Sequence, residues 1–335
     1  MSVMNKERVV WLDYARFFSV FLVILFHTPP TTRVFDGRIA CILFYTVFFT
    51  ISGYLFDISR YSNFRQFFTH RGKQILVPYV TFFMVVYPLW LLVGRTLSGE
   101  DVEWWLPLVN WLKGEPHTVV GTFWFLACLL VMQIFYYFLQ RWLPSRWLIV
   151  VALLLSVAAA NCPLENYWQV WYALLYMPYY AFGNLFKDYL SQVRFDTSKH
   201  TAALLIGGAV AIAIMGLSIF TADPNIINVV RITSGVLVIP AYVAISKWLG
   251  ERYGRNGVIE LVVMNAIVYL AFQNNVISVI RVALEKVFYH GVMTDHLWIK
   301  FVVALAVMVI LYPIAWFVHH YAPWMLGRKK KAVAH

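Results

Sequence analysis

Apolar residues in this chain come in long runs separated by short polar stretches. Most runs approach the ~20 residues that carry an α-helix across a bilayer core. None shows the alternating ten-residue pattern of a membrane β-barrel. The runs predict helices at 11–28, 39–56, 74–94, 120–140, 147–161, 168–186, 201–220, 226–246, 258–280 and 297–318. Pro29-Pro30 ends the first, since neither residue can continue a helix. Pro78 falls in the first turn of the third, where a missing N–H does little harm, and Pro88 marks a kink. The expected fold is all-α and polytopic: about ten transmembrane helices in one domain over residues 1–335, with no soluble domain and no internal repeat.

Composition agrees with this pattern. At 61% hydrophobic, 13% charged and a mean hydropathy of +0.68, a soluble domain could not cover its apolar load with polar surface. The net charge of +11 raises the question of nucleic acid, and the distribution of the cations answers it. With ten crossings, 18 Lys and Arg fall in loops on the side of the two termini and 6 on the other side. That bias predicts both termini in the cytoplasm of a multi-pass inner (plasma) membrane protein, with no call on nucleic acid. The tail Gly327-Arg328-Lys329-Lys330-Lys331 fits an inside anchor, and it also suits anionic lipid headgroups. The first run is too long for a cleavable signal peptide and lacks a small-x-small site after it. Cys41, Cys128 and Cys162 lie in or beside apolar runs and form no disulfide framework. No Cys/His cluster has metal-ligand spacing, so no metal is expected.

The chemistry concentrates in the first run. Asp13, Arg16 and His27 interrupt it, although an ionisable side chain at mid-membrane costs ~2.5–3.5 kcal/mol on insertion scales. Arg16 and His27 are about 20° apart around a helix and roughly 16 Å apart along it, and Asp13 neighbours Arg16 at i,i+3. One stripe therefore carries an acid and a base at one end and an imidazole at the other. Asp13 and Arg16 also fit a plain interfacial pair, with Arg16 snorkelling to headgroups. Elsewhere, Ser52-Gly53 suits close approach of two helices. Arg71 and Lys73 suit either an inside anchor or an anion site. Trp124 suits interfacial packing or a substrate platform. Arg231, Glu260 and Lys300 fall near predicted helix ends, where snorkelling is the simplest reading. Gln273-Asn274-Asn275 falls toward the outer end of the ninth helix and also suits a polar rim for sugar hydroxyls.

Several separated segments resemble the acyltransferase 3 family of membrane-bound O-acyltransferases. The first helix carries Leu12-Asp13-x-x-Arg16, separated by ten residues from His27. The second carries Phe48-Phe49-x-x-Ser52-Gly53-Tyr54. Arg71 and Lys73 precede Pro78-Tyr79, and Trp124-Phe125-Leu126 and Phe182-Gly183-Asn184 follow. The family's late Tyr-Leu-x-His segment corresponds to Tyr269-Leu270-Ala271-Phe272, without the histidine, and Gln74 replaces the second arginine of its Arg-x-x-Arg.

The resemblance implies transfer of an acyl group, most simply acetyl, from cytoplasmic acetyl-CoA to a hydroxyl of a cell-surface polysaccharide or lipid-linked glycan. It implies His27 and Asp13 as catalytic residues, and Arg16, Arg71 and Lys73 as partners of the acyl-CoA phosphates. Ser52, Tyr54, Trp124, Gln273 and Asn274 would line the substrate path. An unperturbed histidine titrates near neutrality and suits a general base. Two rivals are a glycan or lipid exporter that uses the charged stripe as a path and a non-catalytic subunit of a polysaccharide synthase. The exporter's expected inverted repeat is not visible in the sequence.

Overall fold

A computed structural model describes residues 9–30, 39, 41–98, 102–196 and 198–328. Those residues are 84% helical, with no strand among them. The principal helices are α1 Val10–His27, α2 Thr46–Tyr54, α3 Phe64–Leu89, α4 Trp124–Trp142, α5 Ser145–Ala160, α6 Val170–Leu175, α7 Met177–Leu185, α8 Lys187–Gln192, α9 Ser198–Leu217, α10 Pro224–Tyr253, α11 Gly257–Met264, α12 Ala266–Val287 and α13 Leu297–Tyr321. Each of the ten predicted runs contains helix. Seven helices are long and apolar enough to cross a membrane, and Ile42–Tyr54 and Ser145–Ala160 are apolar but shorter. The chain is thus an α-helical, multi-pass membrane protein.

Three departures from the predicted boundaries have local causes. Helix α3 begins ten residues before the predicted 74. Asn63 caps it by accepting the Gln66 N–H at 2.9 Å, and Gln66 reaches back to the Ser62 N–H at 2.8 Å. This reciprocal arrangement is close to a capping box. Arg71 and Lys73, expected in a loop, therefore stand on a helix. The predicted helix 168–186 is broken at Tyr176 into α6 and α7, and Trp168 and Gln169 before it are left-handed (φ 53° and 60°). The predicted helix 258–280 is broken at Asn265, whose side-chain amide donates to Leu261 O at 2.7 Å.

Helix α1 is the central post. It packs against α2, α10, α11, α12 and α13. One apolar core surrounds its C-terminal half with residues of α3, α4, α12 and α13. A second core joins α2, α4, α5, α7 and α10. Large apolar side chains such as Val302, Leu305, Val309 and Phe317 of α13 face outward, as a lipid-facing surface requires.

Broken and short helices leave carbonyls without intrahelical partners inside the bundle, and lipid offers no water to satisfy them. Among the described residues five cations donate to carbonyls at or just past helix ends, Lys300, Arg231 and Lys247 from buried positions, Lys187 from a half-buried one and Arg328 from an exposed one. Lys300 reaches Thr28 O and Pro30 O after α1. Lys187 reaches Phe56 O after α2, at 2.5 Å. Arg231 donates to Leu175 O at the end of α6, at 3.2 Å. Lys247 donates to Leu190, Ser191 and Val193 carbonyls around the end of α8, at 2.7–2.9 Å. Arg328 reaches Met264 O at the end of α11. A positive charge at a helix C-terminus also complements the helix dipole. Arg231 and Lys300 are consequently buried rather than snorkelling, which corrects the sequence expectation. Glu260 pairs with Arg255 at 2.8 Å beside the start of α11.

A close backbone contact joins α2 to α7. A Cβ at Gly53 would lie 2.0 Å from Tyr180 O, and one at Gly183 would lie 2.0 Å from Thr50 O. Asn184 locks the pair: its amide donates to Gly53 O and Phe56 O at 3.1 and 2.9 Å, and its oxygen accepts from Tyr136 at 3.1 Å. The sequence motifs Ser52-Gly53 and Phe182-Gly183-Asn184 are therefore the two halves of one contact. Gly53→Val and Gly183→Val should each destabilise the protein by ~3 kcal/mol or more through backbone overpacking. Gly207→Ala should stay within ~1 kcal/mol of wild type, because nothing lies within 4 Å of its Cβ position. Thermal unfolding of detergent-solubilised protein measures all three, and equal Tm values would remove the close approach.

Candidate functional site

Two spaces lined by charged or imidazole side chains open on α1, one near each end. Near its N-terminal end is a cavity of about 750 Å³. Four cations line it: Arg16 from α1, Arg60, Lys187 from α8 and Arg328 from the C-terminal segment. Asp13, Asp57 and Asp188 are interspersed, and Tyr54 of α2 forms part of the wall. Asp13 is buried, and Arg16 is half-buried. Asp57 accepts from the Ser59 hydroxyl at 2.6 Å and the Ser59 N–H at 3.1 Å, and from Arg60 at 3.3 Å. These contacts, the Ser59 hydroxyl first, hold its carboxyl below the usual range. It therefore stays ionised and keeps Arg60 turned to the cavity rim.

Two of the lining cations also hold helix ends. Lys187 caps α2, and Arg328 caps α11. Both were legible in the sequence only as members of basic loops. Nothing in their spacing announces that residues 57–60, 187–188 and 328 meet around Arg16. Lys329, Lys330 and Lys331 lie outside the described residues.

Near the C-terminal end of α1 is a small recess with room for about one water, ≈ 10 Å³. His27 lines it, together with Tyr45, Phe48, Thr122, Trp124 and Leu270. Three sequence motifs from three helical segments thus converge here: His27, Phe48 of the Phe-Phe-x-x-Ser-Gly segment, and Trp124 of Trp-Phe-Leu. Tyr45 meets Trp124 edge to face at 5.0 Å between ring centroids, and Phe48 meets Phe125 at 5.4 Å. Thr122 donates to Leu270 O at 2.6 Å, fastening the start of α4 to α12. His27 Nδ1–H donates to Val23 O at 2.7 Å. A neutral imidazole held this way carries its free lone pair on Nε2, the arrangement a general base needs.

The remaining expected residues distribute as follows. Gln273 stands one turn beyond Leu270; it is fully buried, and its amide has no hydrogen-bond partner among the described residues. Asn274 faces Gly121, its Nδ2 3.6 Å from that residue's Cβ position. Both belong to the neighbourhood of the recess without lining it. Ser52 is half-buried on α2 and lines neither space. Arg71 and Lys73 do not line the cavity either. Arg71 donates to Gln74 at 3.3 Å on its own helix, and Lys73 is exposed, with its carbonyl against Gly327. The expected stripe on α1 is therefore present, whereas the expected cation partners on α3 are replaced around the cavity by Arg60, Lys187 and Arg328. Among the described residues no group of His, Cys, Asp and Glu could hold a metal ion.

The charged cavity and the histidine recess sit on one helix, roughly 16 Å apart along its axis. That geometry can bind a polyanion at one end and move a proton at the other. Comparison with known proteins gives the same family as the motifs do. The family profile described as "Acyltransferase domain" matches residues 9–320, nearly the whole chain. No curated protein and no solved structure matches. With His27, Phe48 and Trp124 gathered at one recess and the profile running from the start of α1 to the end of α13, the chain belongs to the acyltransferase 3 family.

Proposed function

We propose that this membrane acyltransferase is an O-acetyltransferase of the inner (plasma) membrane. Its donor is cytoplasmic acetyl-CoA, and its acceptor is a hydroxyl of a cell-surface polysaccharide or lipid-linked glycan. In this reading the ten helical runs cross the bilayer with both termini in the cytoplasm, as the 18-to-6 distribution of loop cations favours. The carrying observation is the pairing on α1 of a four-cation cavity at its N-terminal end with a base-ready His27 at its C-terminal end.

Arg16, Arg60, Lys187 and Arg328 bind the phosphates of the donor, because charge-assisted contacts are the strongest available to them. Arg71 and Lys73 stand on α3 outside the cavity lining and draw the donor to that end of the protein electrostatically. Asp13 and Tyr54 shape the entrance. The pantetheine arm then carries the thioester along α1 to the recess. Phe48 and Trp124 part to admit the acceptor, with Ser52, Gln273 and Asn274 beside the path. His27 Nε2 takes the proton of the acceptor hydroxyl while the oxygen attacks the thioester carbonyl. The C–S bond breaks, the acetyl group stays on the sugar oxygen, and the imidazolium returns the proton to the departing CoA thiolate. The donor supplies the leaving group, so no further reactant is needed.

Three measurements test this reading. Purified protein in liposomes, given labelled acetyl-CoA and isolated surface polysaccharide, should label the glycan. His27→Ala should lower kcat by ~10²–10⁴ with an unchanged KM for acetyl-CoA, and His27→Gln should stay impaired. Full activity in His27→Ala would remove His27 from the mechanism, and glycan movement across the bilayer without acetyl transfer by the wild type would favour the exporter.

The second measurement compares cations. Arg16→Gln with Arg328→Gln should raise the KM for acetyl-CoA by ~10-fold or more, and Arg71→Ala with Lys73→Ala should raise it less. The reverse order would move the donor site to α3. Third, reporters fused at residues 110 and 335 should report the outside and the cytoplasm respectively. The same compartment for both would exclude the ten-crossing topology.

A further inference from the structure

We propose that Lys300 of α13 is a positioning residue for His27. The proposal rests on the reading of His27 as the base. Lys300 is fully buried in a helix of otherwise apolar character. An ammonium group at such a place is costly unless its surroundings accept its protons and balance its charge. Its Nζ donates to Thr28 O and to Pro30 O, the latter at 3.2 Å.

These carbonyls directly follow His27 in the chain. They lie one and three residues past the last residue of α1, beside the end that carries the negative pole of the helix dipole. Thr28 is fixed from the other side as well. Its hydroxyl donates to Ile24 O at 2.8 Å, and its N–H bonds to Ile24 O and Leu25 O. The imidazole is held one turn back by Val23 O. Lys300 therefore closes a chain of contacts that fixes the backbone under His27 while Val23 fixes its ring. Among the five cations that hold helix ends, Lys300 is the one whose acceptor carbonyls adjoin the histidine of the recess.

A base must sit within hydrogen-bond reach of the proton that it takes, and a misplacement of about 1 Å can cost ~10²-fold in rate. Loss of Lys300 should thus act on kcat through His27. The donor's charged end lies at the opposite end of α1, so donor binding should not change.

The test is a double-mutant cycle on the full-length protein in liposomes. Donor and acceptor are labelled acetyl-CoA and isolated surface polysaccharide, and rates are normalised to monodisperse protein. Lys300→Met keeps the side chain's length and removes its charge and donors. It should lower kcat ~10–100-fold in the wild-type background with an unchanged KM for acetyl-CoA. In a His27→Ala background it should change kcat by less than ~2-fold, because residues that act as a unit are non-additive. Lys300→Gln, which keeps two N–H donors, carries the same cycle if Lys300→Met does not fold. It should fall between wild type and Lys300→Met.

Equal losses in both backgrounds would show a purely structural cap and overturn the proposal. So would unchanged kcat in folded Lys300→Met or Lys300→Gln beside an inactive His27→Ala, which leaves the reading of His27 standing. Full activity in His27→Ala would overturn that reading and the proposal together.

Discussion

A backbone carbonyl inside a bilayer has to be satisfied by the protein itself, and this fold meets that requirement with cations. Lys300, Lys187, Arg231, Lys247 and Arg328 each donate to the end of a different helix. An uninterrupted helix needs no such help. A helix that stops within the bundle does, and α1, α2, α6, α8 and α11 all stop where another element packs over them. The cations thereby permit short and broken helices, and those breaks make room for the two spaces on α1. A buried lysine with three carbonyl acceptors, such as Lys247, is a structural donor more than a free charge.

The division of α1 into a charged end and an imidazole end follows from the same economy of placement. Cations that hold helix ends near the N-terminal end of α1 also face a common cavity, so Lys187 and Arg328 serve both purposes. At the other end the lining is aromatic and aliphatic apart from His27 and Thr122, and the imidazole there is held through Nδ1. The charged cavity and the histidine recess thus share one stripe of α1, and other parts of the interior pack tightly. The reciprocal insertion of Gly53 and Gly183 is the clearest case of that packing.

Much of this arrangement is legible in the sequence. Hydrophobic periodicity is local, so it gives the ten helical runs, and the stripe of Asp13, Arg16 and His27 follows from the pitch of one helix. Helix ends were less legible where capping overrides hydropathy. Asn63 and Gln66 start α3 in a polar stretch that periodicity alone assigns to a loop. The breaks at Tyr176 and Asn265 lie inside apolar runs and carry no strong breaker of their own, although Pro178 stands just after the first. The cavity lining was the least legible part. Arg60, Lys187 and Arg328 meet only through tertiary packing, and a basic residue beside a predicted helix end looks the same whether it faces headgroups, a carbonyl or a cavity. Arg71 and Lys73 show the converse: a motif-like cluster that hydropathy assigns to a loop stands on a helix and does not line the cavity.

The short C-terminal segment Pro323–Leu326 has a bearing on biogenesis. Thr81 donates to Met325 O at 2.9 Å, Gly327 sits left-handed (φ +67°) with no space for a Cβ beside Lys73 O, and Arg328 reaches Met264 O. Arg328, just past this segment, leaves the ribosome after every described helix, yet it forms part of the wall around Arg16 on α1. A nascent chain can therefore insert α1 and most of its neighbours and still have an open chamber. The wall closes only when the last span has entered the bilayer and the chain doubles back onto α3 and α11, so maturation of the charged chamber is a post-insertion event set by topology.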